Sequence, residues 1–185
     1  MPDLYKRVIM PLTDEQIENL NCGDNVLISG VIYSARDTVH QRLVKLLEEG
    51  KELPVDLRGQ TIYYVGPAPA RPGQVCGSAG PTTSSRMDIY TPQLLDFGLK
   101  GMIGKGKRSE AVIEAMIRNK AVYFAATGGA AAVIAKSIKA VEMIAYEDLG
   151  AEALQKMTVE DFPAVVVIDC KGRNLYESGP RKYAL

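Results

Sequence analysis

Short apolar runs alternate along this chain with segments whose apolar residues recur at helical spacing. The runs combine apolar and β-branched residues over a few positions each, as strands buried in a sheet do. They predict strands over residues 25–33, from Thr61, over 101–104, over 121–127, from Ile138 and from Ala164.

Helix signals stand between these runs. Thr13 followed by Gln16 matches a capping box, which predicts a short helix over residues 14–20 before Gly23. Asp37 is suited to cap a second helix, which stops at Gly50. The apolar face of that helix comprises Val39, Leu43, Leu46 and Leu47.

Further helices are predicted in the second half of the chain. One begins near Thr82 or Thr83, and another starts at Pro92, a favourable first helical position, and ends at Gly98. Ser109 is suited to cap a third. The apolar residues of that third helix are Val112, Ile113, Met116 and Ile117.

The alternation of strands and helices predicts an α/β fold, in which residues 1–185 form a single domain. Residues 67–81 are rich in Pro, Gly and Ala without a sustained period, which predicts a long loop, and long ordered loops are usually functional. Gly128 and Gly129 predict a tight turn from strand to helix. The pattern leaves the strand order open.

Composition narrows the classes of partner and compartment. Lys and Arg together number 22, as do Asp and Glu, so the overall charge favours neither nucleic acid nor an anionic membrane as a partner. No apolar stretch has the length of a membrane span or the pattern of a signal peptide. We therefore expect a cytoplasmic protein.

The three cysteines are Cys22, Cys76 and Cys170, and their wide, odd-numbered arrangement argues against a disulfide framework. Three thiolates can hold an iron–sulfur cluster with one iron left open, so that alternative has to be weighed. No Cys-x-x-Cys pair is present, and Cys170 follows a run typical of a buried strand. The favoured interpretation is a buried small hydrophobe, with no metal ligand in this chain.

Candidate chemistry lies where strands or loops give way to helices. Arg36, Arg86 and Lys105 each stand near such a point, where ligands bind in α/β folds and helix amino termini favour anions. Together they predict an anion site. For Arg36 alone, an ion pair with the adjacent Asp37 is the simpler interpretation.

Thr82 and Arg86 are four residues apart, which would place both on one face of a helix. The hydroxyls of Thr82, Thr83 and Ser84 could instead be ordinary helix caps, but capping explains only one of the three.

Other motifs give weaker signals. Residues 104–109 lack the spacing of a phosphate-binding loop, so Lys107 and Arg108 are interpreted as a solvated basic turn, whereas glycines on both sides of Lys105 would allow a ligand close approach. His40 is the only histidine, and we expect it on a helix surface or half-buried rather than acting as a catalytic base.

Five motifs occur in an order that resembles the C-terminal domain of class I fumarases. They are GVIYSARDTVHQR, AGPTTSSRMDIY, GMIGKGKRS, ATGGAAAVIA and VEDFPAVVVIDCKG, and the resemblance covers most of the chain, from about residue 26 to residue 172. In two-subunit members this domain is a separate β subunit, and the L-tartrate dehydratase β subunit is similar. The resemblance implies a swivelling β/β/α domain with mixed sheets and flanking helices.

The resemblance also implies a function. It is the reversible hydration of fumarate to (S)-malate by a hydro-lyase whose 4Fe-4S cluster is held by the other domain, here a cluster-bearing α subunit in an α2β2 assembly. By motif position, Arg36, Arg86 and Lys105 correspond to residues that hold the carboxylates of a small dicarboxylate substrate. Thr82 corresponds to the proposed catalytic base, although a hydroxyl needs activation by its neighbours.

Two alternatives stay open at this point. L-Tartrate dehydratase would use the same anchors on a dihydroxy dicarboxylate. A stand-alone anion-binding module that has lost catalysis is a second possibility, although the presence of Thr82, Arg86 and Lys105 together counts against it.

Overall fold

A computed structural model describes residues 4–126 and 131–181 of the chain. Within these residues the strands are β1 (Lys6–Ile9), β2 (Asn25–Ser34), β3 (Thr61–Tyr63), β4 (Gly101–Gly104), β5 (Val122–Ala125), β6 (Ile138–Ala145) and β7 (Leu154–Ile168). The α-helices are α1 (Asp14–Asn19), α2 (Asp37–Glu48), α3 (Thr91–Phe97), α4 (Glu110–Asn119), α5 (Ala131–Ser137) and α6 (Leu175–Arg181). Two 3-10 helices cover Ser84–Met87 and Glu147–Glu152.

The described strands form one mixed sheet in the order β1-β2-β3-β4-β5-β7-β6. Strands β1 to β5 run parallel to one another, and β7 is antiparallel to β5 and β6. β7 also pairs antiparallel with β2, which joins β2, β3, β4, β5 and β7 into a closed, barrel-like ring. The α/β fold with a mixed sheet and flanking helices is therefore confirmed, whereas the extent of the domain stays a prediction.

β7 can pair on several sides because it bends. Its first half lies between β6 and β2, and its last residues pair with β5. At the bend Asp161 has a positive φ of 49°, and the register with β2 shifts between Ile28 and Gly30. An irregularity of this kind turns a strand and lets one element serve two neighbours.

Apolar side chains pack on both faces of the ring. One core contains inward residues such as Ile28, Phe124 and Val166 with α1 and α5. The other packs the outer face of the ring against α2, α3 and α4, with Leu43, Leu95 and Val112 fully buried. The two cores therefore exclude water from both sides of the strands.

Local signals placed several elements correctly. Thr13 and Gln16 form the expected capping box of α1, and the Ser109 hydroxyl accepts a hydrogen bond from the Val112 N–H at the start of α4. β4 has the predicted bounds, and residues 67–81 form the expected loop.

Two predictions about elements were wrong, and one strand was not predicted. The unpredicted strand is β1, and β7 begins ten residues before Ala164, at Leu154. Asp37 does not cap α2: Arg36 holds the capping position, without a side-chain bond to the helix. The predicted turn at residues 128 and 129 lies outside the described residues.

Among the described helices, none has the length and apolar character required to cross a bilayer.

Replacing Thr13 by alanine tests the capping signal. The change removes the hydroxyl that accepts the Gln16 N–H, so the free energy of unfolding should fall by about 1 kcal/mol in chemical denaturation. Thr83→Ala is the matched control, because Thr83 stands at a cap position without a cap bond, and its cost should stay within about 0.5 kcal/mol. Equal losses in the two variants would contradict this assignment of the caps.

Candidate functional site

The carboxyl ends of the parallel strands meet at one edge of the ring. The chain leaves β2 towards Arg36, β3 towards Gly66 and β4 towards Lys105. β3 pairs with both β2 and β4, so these exits lie side by side, about 5 Å apart per strand. In parallel sheets, ligands bind outside this edge.

The segment that contains Thr82 inserts between two of these exits. The Thr82 N–H donates to the Tyr64 carbonyl at 2.8 Å, and the Ser84 N–H donates to the Lys105 carbonyl at 2.9 Å. Thr83 and Lys105 form a parallel β-bridge. Backbone hydrogen bonds therefore hold Thr82 and Lys105 in adjacent extended segments, despite their separation in sequence.

The predicted helical relation between Thr82 and Arg86 was wrong. The 3-10 helix begins only at Ser84, and Thr82 precedes it in an extended segment. Thr83 stands at the cap position but makes no side-chain cap bond. Arg86 lies on the 3-10 helix, one turn beyond the bridge between Thr83 and Lys105. Thr82 and Arg86 are therefore at the same edge because of this bridge, and not because they share one face of a helix.

We call this group, comprising Arg36, Thr82, Arg86 and Lys105, the cationic rim. Arg86 and Lys105 are exposed, and neither side chain makes a hydrogen bond or ion pair with the described part of the chain. Thr82 is half-buried, and its hydroxyl likewise has no bond to a described residue. These groups can therefore accept an external anion without first breaking a described contact.

Arg36 differs because two carboxylates already contact it. Its Nη1 donates to Glu152 Oε1 at 2.5 Å, whereas its Nε is 3.8 Å from Asp37 Oδ1. The Arg36 Nε and Asp37 Oδ1 atoms are buried, and neither has a hydrogen-bond partner among the described residues. The closer partner is therefore Glu152 rather than the adjacent aspartate, and no local sequence signal joins residues so far apart.

Gly66 leaves room for this pair. A Cβ built there would lie 3.3 Å from the Glu152 Cγ and 3.4 Å from the Arg36 Cδ. A side chain at this position would therefore press on both partners.

His40 lies below the rim in the core, which corrects the prediction of a surface or half-buried residue. It is fully buried, its Nδ1 lies 2.8 Å from the Arg36 carbonyl, and its ring meets Tyr64 edge to face at 5.3 Å. Burial lowers the His40 pKa to about 4, with the positive charge of Arg108 acting in the same direction. The imidazole is therefore neutral near pH 7, with Nδ1–H donating to the carbonyl.

Arg108 also corrects the prediction, because it is buried rather than part of a solvated turn. Its Nε donates to Asp88 Oδ1 at 2.7 Å, and its Nη2 donates to the Thr91 hydroxyl at 2.9 Å. The guanidinium lies 5.3 Å from the centre of the Tyr64 ring and 5.0 Å from that of Tyr123. Lys107, in contrast, is exposed as expected.

The buried side chain of Tyr123 links the segment that contains Thr82 to the segment that contains Lys105. Its hydroxyl donates to the Gly106 carbonyl at 2.9 Å and lies 2.7 Å from the Ser84 hydroxyl. Burial raises the pKa of Tyr123, so its single proton stays in place and the Ser84 hydroxyl acts as the donor to it. A Cβ at Gly104 would overlap the Ser84 hydroxyl, so the close approach requires glycine there.

Metal-binding donors are not grouped in the part of the chain that the structure describes. No three His, Cys, Asp or Glu side chains within residues 4–126 and 131–181 stand close enough to hold a metal ion. Cys170 is buried, as expected for a small hydrophobe, and Cys22 and Cys76 are half-buried. The described donors do not fit an iron–sulfur cluster.

Residues 4–179 match the family model described as fumarase C-terminus. The chain therefore belongs to the fumarase C-terminal family, which confirms the resemblance.

Two relatives carry fumarate hydratase names. The chain is 40% identical over 164 residues to the anaerobic class I fumarate hydratase of Escherichia coli (strain K12), covering 88% of this chain and 30% of that protein. It is 38% identical over 164 residues to fumarate hydratase 2 of Leishmania major, covering 88% of this chain and 29% of that protein. The chain thus spans about a third or less of these two relatives.

A third relative has nearly the same length. It is described as a putative L(+)-tartrate dehydratase subunit beta of Methanocaldococcus jannaschii, and it is 34% identical over 177 residues. The match covers 92% of this chain and 91% of that protein. The family therefore includes proteins of this size as well as much longer ones.

The buried histidine predicts a pH dependence of stability. The folded-state pKa of about 4 lies below the ordinary 6.5, so the unfolded chain binds a proton first as the pH falls. The free energy of unfolding should therefore be fully retained above pH 6.5 and fall by about 3 kcal/mol between pH 6.5 and pH 4.

Urea denaturation at several pH values measures this dependence, and His40→Gln supplies the control because it removes the chain's only histidine. The slope between pH 6.5 and pH 5.5, above the ordinary range of carboxylates, is the informative one. An unchanged slope in the variant would contradict the assignment to His40.

Proposed function

We propose that this chain is the substrate-binding β subunit of a two-subunit iron–sulfur hydro-lyase that reversibly hydrates fumarate to (S)-malate. Membership of the fumarase C-terminal family supports the reaction class. The observation that carries the proposal is the cationic rim, where Thr82 and Lys105 stand in bridged segments and Arg86 is one turn away.

The substrate class follows from the charges of the rim. A dicarboxylate requires two cationic anchors held at a fixed separation, and arginine grips a carboxylate with two parallel donors while lysine supplies a point charge. Arg86 and Lys105 make no described ion pair and are assigned this role. The same cations would stabilise negative charge that builds on a substrate carboxylate when the adjacent carbon loses a proton.

Arg36 is assigned as a third anchor that already shares its charge. Glu152 occupies its Nη1, so a substrate carboxylate would have to bind at the remaining donors or displace Glu152. Arg36 therefore contributes less net positive charge than Arg86, and its role is orientation more than attraction.

Thr82 is assigned as the group that takes the proton from the substrate carbon. Its backbone is fixed by the bond to the Tyr64 carbonyl, which gives its hydroxyl a defined location. A threonine hydroxyl is a weak base near neutral pH and must be activated by neighbouring groups. No described residue bonds to the hydroxyl, so we assign the activating group to the partner chain.

We assign the 4Fe-4S cluster to a cluster-bearing α subunit, in an α2β2 complex located in the cytoplasm. The fumarate hydratase relatives are much longer than the region that this chain matches, which supports a cluster-bearing portion outside that region. The word subunit in the tartrate dehydratase name supports placing that portion on a separate chain. Activity is accordingly assigned to the complex and not to this chain alone.

A second candidate is the β subunit of an L-tartrate dehydratase. It is favoured by the relative from Methanocaldococcus jannaschii, whose length this chain nearly matches. The same anchors would hold a dihydroxy dicarboxylate.

Reconstitution tests the proposed function and separates the two substrates. This chain, co-expressed anaerobically with its cluster-bearing partner, should convert malate to fumarate, followed by the absorbance of the fumarate double bond. L-Tartrate is assayed in parallel, and each chain alone serves as the control and should show no turnover. Preferential turnover of tartrate would establish the second candidate, and no turnover of either substrate would refute both.

Substitution of an anchor tests the rim. Arg86→Ala should lower kcat/KM by roughly a hundredfold or more, about 3 kcal/mol of lost transition-state binding, because a bidentate grip on a carboxylate disappears. The melting temperature should hardly change, because Arg86 is exposed and makes no described ion pair. Lys107→Ala is the matched control on a neighbouring exposed cation and should keep normal kinetics. Equal effects of the two substitutions would show that the site lies elsewhere.

A further inference from the structure

A buried cation lies under the cationic rim. The Arg108 side chain is fully buried, with the rings of Tyr64 and Tyr123 near its guanidinium and Asp88 as its ion-pair partner. Burial works against the charged form, but Tyr64, Asp88 and Tyr123 more than offset it and raise the pKa of Arg108. A buried ion pair of this kind is weak evidence for stability and is better explained by the geometry that it imposes.

The contact with Asp88 fixes the segment that carries Arg86. Asp88 directly follows the 3-10 helix Ser84–Met87, which contains Arg86. One carboxylate oxygen accepts from Arg108 Nε at 2.7 Å, and the other accepts from the Ser109 N–H at 2.6 Å. The end of the 3-10 helix is thereby tied to the start of α4.

The contact with Tyr64 fixes the segment that carries Thr82. Arg108 Nη1 donates to the Tyr64 hydroxyl at 3.3 Å, and the Tyr64 carbonyl accepts the Thr82 N–H at 2.8 Å. A displacement of Tyr64 would therefore be transmitted to the proposed base.

The contact with Tyr123 fixes the segment that carries Lys105. The Tyr123 hydroxyl donates to the carbonyl of Gly106, the next residue, and accepts from Ser84 on the opposite segment. Arg108 packs against this ring and keeps the hydroxyl between the two segments.

We propose that Arg108 is a positioning residue of the cationic rim, one that sets the relative placement of Thr82, Arg86 and Lys105 through Asp88, Tyr64 and Tyr123. The identity of the ligand as a dicarboxylate rests on the proposed function. The effect of Arg108 on the relative placement of Thr82, Arg86 and Lys105 concerns this chain alone. The planar guanidinium suits the task because it donates in three directions while it packs against two rings. Lysine keeps the charge but cannot reproduce that set of contacts.

The test is Arg108→Lys in the complex with the cluster-bearing partner. We expect the KM for the dicarboxylate to rise about tenfold and kcat to fall by a similar factor, because displaced anchors bind both the substrate and the transition state less well. A merely structural role would reduce the amount of active complex, and so lower the apparent kcat at an unchanged KM. That second result would overturn the proposal.

Two control variants separate positioning from general stability. Arg118→Lys alters another arginine–aspartate pair, which Arg118 forms with Asp96 on α3. That pair is exposed and lies towards the opposite end of α4 from Arg108. The Arg118→Lys variant should keep the wild-type KM. Leu95→Ala opens a cavity in the core that packs against α2, α3 and α4, and it removes none of the hydrogen bonds of Arg108. If Leu95→Ala raises KM as much as Arg108→Lys at an equal loss of melting temperature, the proposal is wrong.

Amide hydrogen exchange on the chain supplies a readout that needs no activity. In Arg108→Lys the Thr82 and Ser84 amides should exchange about tenfold faster, while the amides of the β2–β7 ladder should be unchanged. Unchanged exchange at Thr82 and Ser84 would refute the placement, even if the wild-type complex proved inactive and the proposed function fell separately. If Arg108→Lys does not fold, Tyr123→Phe tests the same linkage, because it removes only the hydroxyl between Ser84 and Gly106.

Discussion

The long strand β7 constrains the rest of the structure, because it pairs with β2 on one side of the ring and with β5 on the other. Strands β2 to β5 are all parallel, so closing them into a ring brings their carboxyl ends to one edge. Residues that follow separate strands then become neighbours in space, although they are far apart along the chain. Arg36 and Lys105 reach the same edge in this way, and the bridge between Thr83 and Lys105 adds Thr82.

The edge combines exposed charges with a rigid support. Arg86 and Lys105 extend from segments whose backbones are bonded to strand ends, and the support beneath them is a buried cation between two tyrosines. A buried pair such as Arg108 and Asp88 costs desolvation energy that a hydrophobic pair would not. Retaining it makes physical sense where the geometry of a site matters more than the free energy of folding.

The rim is also unequal in charge. Arg36 is already balanced by Glu152 and Asp37, whereas Arg86 and Lys105 have no described carboxylate partner. An anion approaching the edge therefore meets its strongest attraction on the side of Arg86 and Lys105. We assign the activation of Thr82 to the proposed partner chain, since no described residue bonds to the Thr82 hydroxyl.

The sequence alone determined the features that depend on local chemistry. The capping box at Thr13, the cap at Ser109 and the bounds of β4 follow from hydrogen bonds and apolar runs within a few residues. The motifs also indicated the family, because they keep their order along the chain, whereas the roles of the four rim residues stay a prediction.

Tertiary structure decided what depends on distant segments. The burial of His40 and Arg108 could not be read from their polar surroundings in sequence, because their neighbours Tyr64, Asp88 and Tyr123 come from separate elements. Likewise, the partner of Arg36 is Glu152, far along the chain, although an aspartate stands beside it in sequence. Local patterns report which face of an element is apolar, but only the closed ring determines which polar groups meet, because that depends on strand order and register.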